Sequence, residues 1–88
     1  MTRKRVLVSG RVQGVFFRDT ARRRAEAAGV SGWIRNTPEG SVEAVFEGDP
    51  AAVDELVEFS RRGPSRAEVL SIDVEEEEPE GLSGFEVR

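Results

Sequence analysis

Apolar and polar residues alternate in several short segments of the chain, and this period of two predicts strands. The first segment covers residues 3–10 and ends at a glycine. The segments at residues 31–37 and 41–47 are separated by a Pro-Glu-Gly sequence typical of a type I turn, so we expect them to form a hairpin. The alternation returns at residues 70–75, and a short last strand is expected around Phe85.

Two other segments have the spacing of helices. Between residues 18 and 28, alanines recur every three or four positions among charged residues, and Gly29 provides a C-terminal stop. A second helix is predicted over residues 50–62, because Asp49 is a suitable N-cap, a proline occupies the first helical position and a Gly-Pro pair follows the segment. Each helix therefore has an apolar face that can pack against a sheet.

The order of these elements is β-α-β-β-α-β with a short C-terminal strand. This is the order of the ferredoxin-like, split β-α-β sandwich, an α+β fold in which an antiparallel sheet is covered on one face by both helices. A chain of 88 residues has room for one domain, which we predict over residues 1–88. Because this fold supports many functions, the chemistry has to be argued from particular residues.

Composition and charge narrow that chemistry. The chain contains no Cys and no His, so disulfide bonds, thiolate or imidazole zinc sites, cysteine nucleophiles and histidine acid–base catalysis are excluded. The net charge is −4, but five glutamates lie between positions 75 and 80, so the acidity is local. No apolar run is long enough for a signal peptide or a membrane span, and we expect a cytoplasmic protein without a membrane partner.

The segment from the first strand to the first helix is the main candidate for chemistry. It reads GRVQGVFFR at residues 10–18, and its glycines permit backbone N–H groups to converge beside the positive end of the helix dipole. Arg18 closes the segment with a planar guanidinium that can bind two phosphate oxygens at once. An ordinary β-α turn containing glycine, with a solvated arginine, remains the alternative on these residues alone.

Asn36 is a second candidate for this site. In the predicted fold the first and second strands run in the same direction on either side of the third, so the loop after the first strand and the end of the second emerge together. Asn36 lies at that end and has the strand parity of Ile34, so it faces the loop if Ile34 faces the helices. The alternative is that Asn36 only begins the turn before Pro38.

Residues 10–18 and 32–43 (GWIRNTPEGSVE) resemble the two signature sequences of the acylphosphatase family. The similarity extends across essentially the whole chain, and the length, the element order and the Gly-Phe pair before the last strand also fit. The resemblance implies a hydrolase that cleaves the carboxyl–phosphate anhydride of acyl phosphates to a carboxylate and inorganic phosphate.

The resemblance also implies which residues act. Arg18 and Asn36 are the expected catalytic residues: Arg18 binds the phosphoryl oxygens and Asn36 positions the attacking water. The phosphate site uses backbone amides of the loop and comprises Gln13, Gly14, Val15, Phe16, Phe17 and Arg18. We expect no cofactor and no metal, because the guanidinium and the amides supply the positive field. Inorganic phosphate is expected as product and inhibitor, and the chain as a monomer.

A non-catalytic anion- or RNA-binding module on the same fold is the alternative function. The arginines at positions 22–24 and the aromatic residues Trp33 and Phe46 are its possible contacts, in the manner of RNA-binding sheets. However, the net charge is negative and no aromatic-rich RNA signature is present, so we expect no nucleic-acid partner. We expect the arginines to form a solvated helix face and Trp33 to be part of the sheet structure.

Overall fold

The computed structural model of the chain describes residues 1–88 and contains five strands and two helices. In chain order these are β1 (Thr2–Arg11), α1 (Phe17–Ala28), β2 (Ser31–Asn36), β3 (Val42–Gly48), α2 (Pro50–Arg62), β4 (Glu68–Glu77) and β5 (Phe85–Val87). The predicted element order is confirmed, and α2 has the predicted bounds. The remaining strands and α1 differ from their predicted bounds by only a few residues at their ends.

Local signals in the sequence explain where the helices begin and end. The Asp49 carboxylate accepts a hydrogen bond from the Ala51 N–H at 3.2 Å, and Pro50 follows it at the first helical position of α2. α1 ends at Gly29, whose φ of 70° lies in the left-handed region that favours glycine. Neither helix has the length and apolarity needed to cross a membrane.

The five strands form one mixed sheet in the order β4-β1-β3-β2-β5. β3 is antiparallel to both β1 and β2, so β1 and β2 run in the same direction, as predicted. β4 is antiparallel to β1, whereas β5 lies beside β2 in parallel. The prediction of an antiparallel sheet is therefore correct for β1 to β4. It is wrong for β5, which pairs with β2 in parallel.

The chain between β4 and β5 explains this parallel pairing. It crosses the end of the sheet at which β2 begins, where Glu47 of β3 binds it: the carboxylate accepts the N–H groups of Glu80 at 2.8 Å and Leu82 at 2.7 Å. Burial raises the pKa of Glu47, but these hydrogen bonds outweigh burial and hold the pKa below its usual value. The chain then enters β5 in the direction of β2.

The hydrophobic core lies between the helices and one face of the sheet. A single cluster of buried side chains joins both helices to this face, as predicted. The rings of Phe17 in α1 and Phe59 in α2 are 5.4 Å apart between centroids. Burying a phenylalanine contributes about 1.5–3 kcal/mol. Because Phe17 is the first residue of α1, its packing fixes the position of the helix N-terminus.

The other face of the sheet carries a network of ion pairs. Arg5 lies between Glu43 and Glu77, with nitrogen–oxygen distances of 2.8 and 2.7 Å, and Arg35 binds Glu43 at 2.7 Å. The hydrogen bond from Arg5 holds the pKa of Glu77 below its usual value. Arg5 also lies over the ring of Trp33 at 5.5 Å. This face is thus covered by paired charges and not by an open aromatic surface.

Candidate active site

The loop between β1 and α1 is fastened to the molecule by its side chains. Val12 and Val15 are buried in the core. The side-chain nitrogen of Gln13, Nε2, donates to the backbone carbonyls of Thr37 and Ser41, both at 2.9 Å, in the turn between β2 and β3. These contacts hold the loop against the end of β2, where the sequence analysis placed Asn36.

The loop changes direction at Phe16. This residue has φ 65° and ψ 23°, the only non-glycine residue of the chain with positive φ, and it precedes α1 without a side-chain cap. A residue in this region costs about 1–3 kcal/mol, and such strain is concentrated at functional sites. Gly14, with φ 74°, turns the chain in the same way, and no atom lies within 4 Å of where its Cβ would be.

These turns leave a set of backbone donors without partners. None of the N–H groups of residues 13–19 donates a hydrogen bond to an acceptor in the protein. They belong to the loop and to the first turn of α1, where the helix dipole is positive. Such a group of donors is suited to binding an anion.

Arg18 adds a charge to this group of donors. Its guanidinium donates one hydrogen bond, from Nη1 to the main-chain oxygen of Arg88 at 3.2 Å, and forms no salt bridge with an Asp or Glu side chain. Since a guanidinium has five N–H groups, most of its donors remain available to a ligand. By contrast, the neighbouring Arg22 and Arg23 both bind the Asp19 carboxylate, at 2.9 and 3.0 Å.

Asn36 lies on the wall of the same pocket as Arg18. The pocket has a volume of about 430 Å³ and is lined by Val12, Gly14, Phe16, Phe17, Arg18, Asp19, Arg22, Asn36 and Val87. Ile34 is 0% exposed in the core, and Asn36, two residues later, is at the open end of that face. The turn after β2 is closed by Thr37, whose carbonyl accepts the Gly40 N–H at 3.1 Å. The Asn36 side chain takes no part in that turn's hydrogen bonds.

The aromatic residues considered for RNA binding lie on opposite faces of the sheet. Phe46 is buried in the core, where it stacks on Phe85 with centroids 5.9 Å apart. Trp33 is on the other face, beneath the guanidinium of Arg88 at 4.6 Å. The arginines of α1 also diverge, since Arg24 lies over the ring of Phe59 at 4.8 Å, away from Asp19. No shared surface for stacking bases is formed by these residues.

Comparison with known proteins identifies the family. The family model for acylphosphatase matches residues 4–87. The chain belongs to the acylphosphatase family. The family and the fold implied by the sequence resemblance are thereby confirmed.

Similar proteins include an acylphosphatase of Rubrobacter xylanophilus, which is 63% identical over 87 residues that span 98% of this chain and 79% of that protein. An acylphosphatase of Haloarcula marismortui is 58% identical over 87 residues, 99% of this chain and 96% of that protein. Among solved structures, the crystal structure of acylphosphatase from Bacillus subtilis has a TM-score of 0.95 at 35% identity and covers 100% of this chain and 99% of its own.

In this member of the acylphosphatase family, the structure brings most of the predicted site residues together. Gly14, Phe16, Phe17, Arg18 and Asn36 all line the pocket. The side chains of Gln13 and Val15 point elsewhere, to the turn after β2 and to the core, so these two residues can offer only backbone N–H groups to a ligand.

Four residues of the pocket were not predicted from the sequence: Val12, Asp19, Arg22 and Val87. Asp19 and Arg22 are three positions apart on α1 and form an ion pair, and Arg22 is four positions from Arg18, a spacing that places these two arginines side by side on the helix surface. This helical spacing can be seen in the sequence and could have indicated Asp19 and Arg22. Val87 enters the site through its parallel pairing with Ile34, and no local pattern indicates that contact.

Proposed function

We propose that the chain hydrolyses acyl phosphates with Arg18 and the loop amides holding the phosphoryl group and Asn36 positioning the attacking water. As a member of the acylphosphatase family it is a hydrolase of acyl phosphates. One observation supports the assignment of residues: a guanidinium that is paired with no Asp or Glu side chain, the unpaired N–H groups of residues 13–19 and the Asn36 amide lie around one pocket.

The phosphoryl group binds where these positive donors converge. The loop amides and the remaining N–H groups of Arg18 donate to its non-bridging oxygens, on which negative charge is concentrated during transfer. The hydrogen bond to the main-chain oxygen of Arg88 restricts the rotation of the guanidinium before substrate arrives. Because these donors are already oriented, little reorganisation is needed when the charge develops.

Asn36 acts on the nucleophile. Its side-chain oxygen accepts a hydrogen bond from the water and holds it for in-line attack on phosphorus. A bond forms between the water oxygen and phosphorus, the bond from phosphorus to the acyl oxygen breaks, and the carboxylate departs with the electron pair. The proton of the water passes to a phosphoryl oxygen. A carboxylate is a good leaving group, so a chain without histidine needs no general acid for this step.

Further parts of the proposal concern ligands, assembly and location. Inorganic phosphate is the second product and competes with substrate for the same donors. The guanidinium and amides supply the positive charge, so neither a metal nor a cofactor is required. We also propose a cytoplasmic monomer without nucleic-acid or membrane partners, with residues 1–88 as one domain. The single core cluster supports one domain. The ion-paired outer face of the sheet, which offers no open aromatic surface, supports the absence of a nucleic-acid partner.

Turnover of benzoyl phosphate in the presence of a chelator tests this proposal. Arg18→Ala and Asn36→Ala are compared with wild type, and Arg61→Ala, a substitution of an exposed arginine on α2 outside the pocket, is the matched control. Loss of turnover in the two site variants, with the control unaffected, supports the assigned roles. Turnover retained by either site variant contradicts its role, and a folded wild type without turnover contradicts hydrolysis itself.

A further inference from the structure

The pocket is larger than a phosphate needs. Its volume of about 430 Å³ lies within the range of about 300–1,000 Å³ that is typical of sites for small organic ligands, so a phosphoryl group fills only part of it. We propose that Phe16 and Val87 form the subsite for the acyl group and select substrates whose acyl group is aromatic or otherwise apolar. This inference rests on the proposed placement of the phosphoryl group at Arg18.

Phe16 is exposed without an evident role in folding. Its side chain is 67% exposed, whereas that of the adjacent Phe17 is 2% exposed in the core. The backbone of Phe16 is in the left-handed region, where a glycine would lie without strain. A large apolar side chain at a strained, solvent-facing position on the pocket wall gains burial only when a ligand covers it.

Val87 provides the second apolar surface of the subsite. It is 40% exposed and lies in β5 beside Ile34 of β2, so its side chain is on the helix-covered face at the open end of the sheet. The next residue is Arg88, whose main-chain oxygen accepts the hydrogen bond from the Arg18 guanidinium. Val87 is therefore adjacent in the chain to the residue that binds Arg18, and both Val87 and Arg18 line the pocket.

The charges of the pocket favour an uncharged acyl group. Arg22 is engaged by Asp19 at 2.9 Å and by Glu26 at 3.1 Å, and Asp19 is also bound by Arg23. Of the two guanidinium groups on the wall, only that of Arg18 is paired with no Asp or Glu side chain, and the proposed phosphoryl group uses it. A second anionic group on the substrate would therefore find no unpaired cation, whereas an apolar group would find Phe16 and Val87.

Kinetics with two substrates that differ only in the acyl group test the subsite. The KM values for benzoyl phosphate and acetyl phosphate are measured for wild type, Phe16→Ala, Phe16→Gly and Val87→Ala. Leu70→Ala is the control, because Leu70 is 74% exposed on β4 and lies outside the pocket. We expect both Phe16 variants to raise the ratio of the benzoyl to the acetyl KM by about fivefold or more, and Val87→Ala by about twofold, in keeping with the apolar area each removes.

The two Phe16 variants separate the ring from the backbone. Glycine removes the left-handed strain and alanine keeps it, so an equal rise in the KM ratio in both assigns the effect to the ring. If the ratio stays at the wild-type value in both, or if KM for the two substrates rises equally, the subsite is refuted while hydrolysis stands. If the folded wild type hydrolyses neither substrate, the proposed function fails and the subsite with it.

Discussion

The Arg18 guanidinium donates to the main-chain oxygen of Arg88, 3.2 Å away and 70 positions later in the chain. The first turn of α1 is thereby joined to the residue that directly follows β5. The protein uses one N–H group of the guanidinium, and the others have no acceptor in the protein while the side chain lines the pocket. In the proposed site, orientation of the guanidinium and phosphate binding are therefore divided between different donors of a single side chain.

This division predicts that lysine cannot replace Arg18. A lysine ammonium keeps the charge, but its three donors diverge from one nitrogen, so it lacks the planar fork that directs one N–H to the main-chain oxygen of Arg88 and two others to phosphoryl oxygens. We expect Arg18→Lys to raise both KM and the inhibition constant of inorganic phosphate by about tenfold or more, since charge-assisted hydrogen bonds are lost. Steady-state kinetics with phosphate as inhibitor measure both constants.

The control for this substitution is Arg23→Lys, because Arg23 is on the same helix but binds Asp19 and does not line the pocket. It is expected to behave like wild type. Wild-type constants in Arg18→Lys would show that only the charge of Arg18 matters, which contradicts the proposed fork geometry.

Gln13 ties the loop to the turn after β2, and its removal affects stability and rate together. Each of its two acceptor carbonyls has a second donor, since the Thr37 carbonyl also accepts the Gly40 N–H and the Ser41 carbonyl the Thr37 N–H. Gln13→Ala therefore leaves no carbonyl unpaired, and we expect a loss of only about 1–2 kcal/mol in the free energy of unfolding. Because the loop is released from the end of β2, kcat should also fall.

Urea unfolding and benzoyl phosphate kinetics measure the two effects of Gln13→Ala. Gln13→Glu is the informative companion, because an ionised carboxylate of the same shape accepts hydrogen bonds and cannot donate to the two carbonyls. It should be less stable than Gln13→Ala. Wild-type stability and kcat in both variants would show that this contact does not position the loop.

Glu47 gives the protein a pH-dependent stability. Its pKa is held below the usual value in the folded state by the N–H groups of Glu80 and Leu82, against the effect of burial. The unfolded chain therefore binds protons more readily than the folded one. This contribution is present above the ordinary carboxyl pKa and is lost as the pH falls through the folded value.

We expect Glu47→Gln to reduce the loss in the free energy of unfolding that wild type shows as the pH falls below the ordinary carboxyl pKa. At neutral pH it should cost about 1.5–3 kcal/mol, the range for hydrogen bonds to charged groups. Urea unfolding at a series of pH values measures both effects, with Glu55→Gln on the exposed side of α2 as the control. A Glu47→Gln variant with the pH slope of wild type would rule out this role.

The parts of the fold that were predictable are those with local causes. The bounds of α2 follow from Asp49, Pro50 and the glycine after Arg62, all of which act within a few residues. The placement of Asn36 followed from the alternation of side chains along β2 and from the direction of the strands, and it lies in the pocket with Arg18 as expected.

The features that were not predicted depend on distant contacts or on strain. The parallel pairing that brings Val87 beside Ile34 depends on the path of residues 78–84 past Glu47. The direction of the Gln13 side chain depends on two carbonyls in a later turn. The left-handed backbone was expected at the glycines of the loop, and Phe16 also adopts it against its intrinsic preference.

The central claim is that Arg18 and the loop amides bind the phosphoryl group while Asn36 acts on the water. The most direct test measures kcat for benzoyl phosphate and the affinity for inorganic phosphate in Asn36→Ala. We expect kcat of Asn36→Ala to fall by about a hundredfold or more, because a group that positions the water is lost. We expect the affinity of this variant for inorganic phosphate to stay within about threefold of wild type, because the donors that bind phosphate, at Arg18 and in the loop, are intact. A variant that loses phosphate affinity in proportion to kcat, or that keeps kcat, would contradict the central claim.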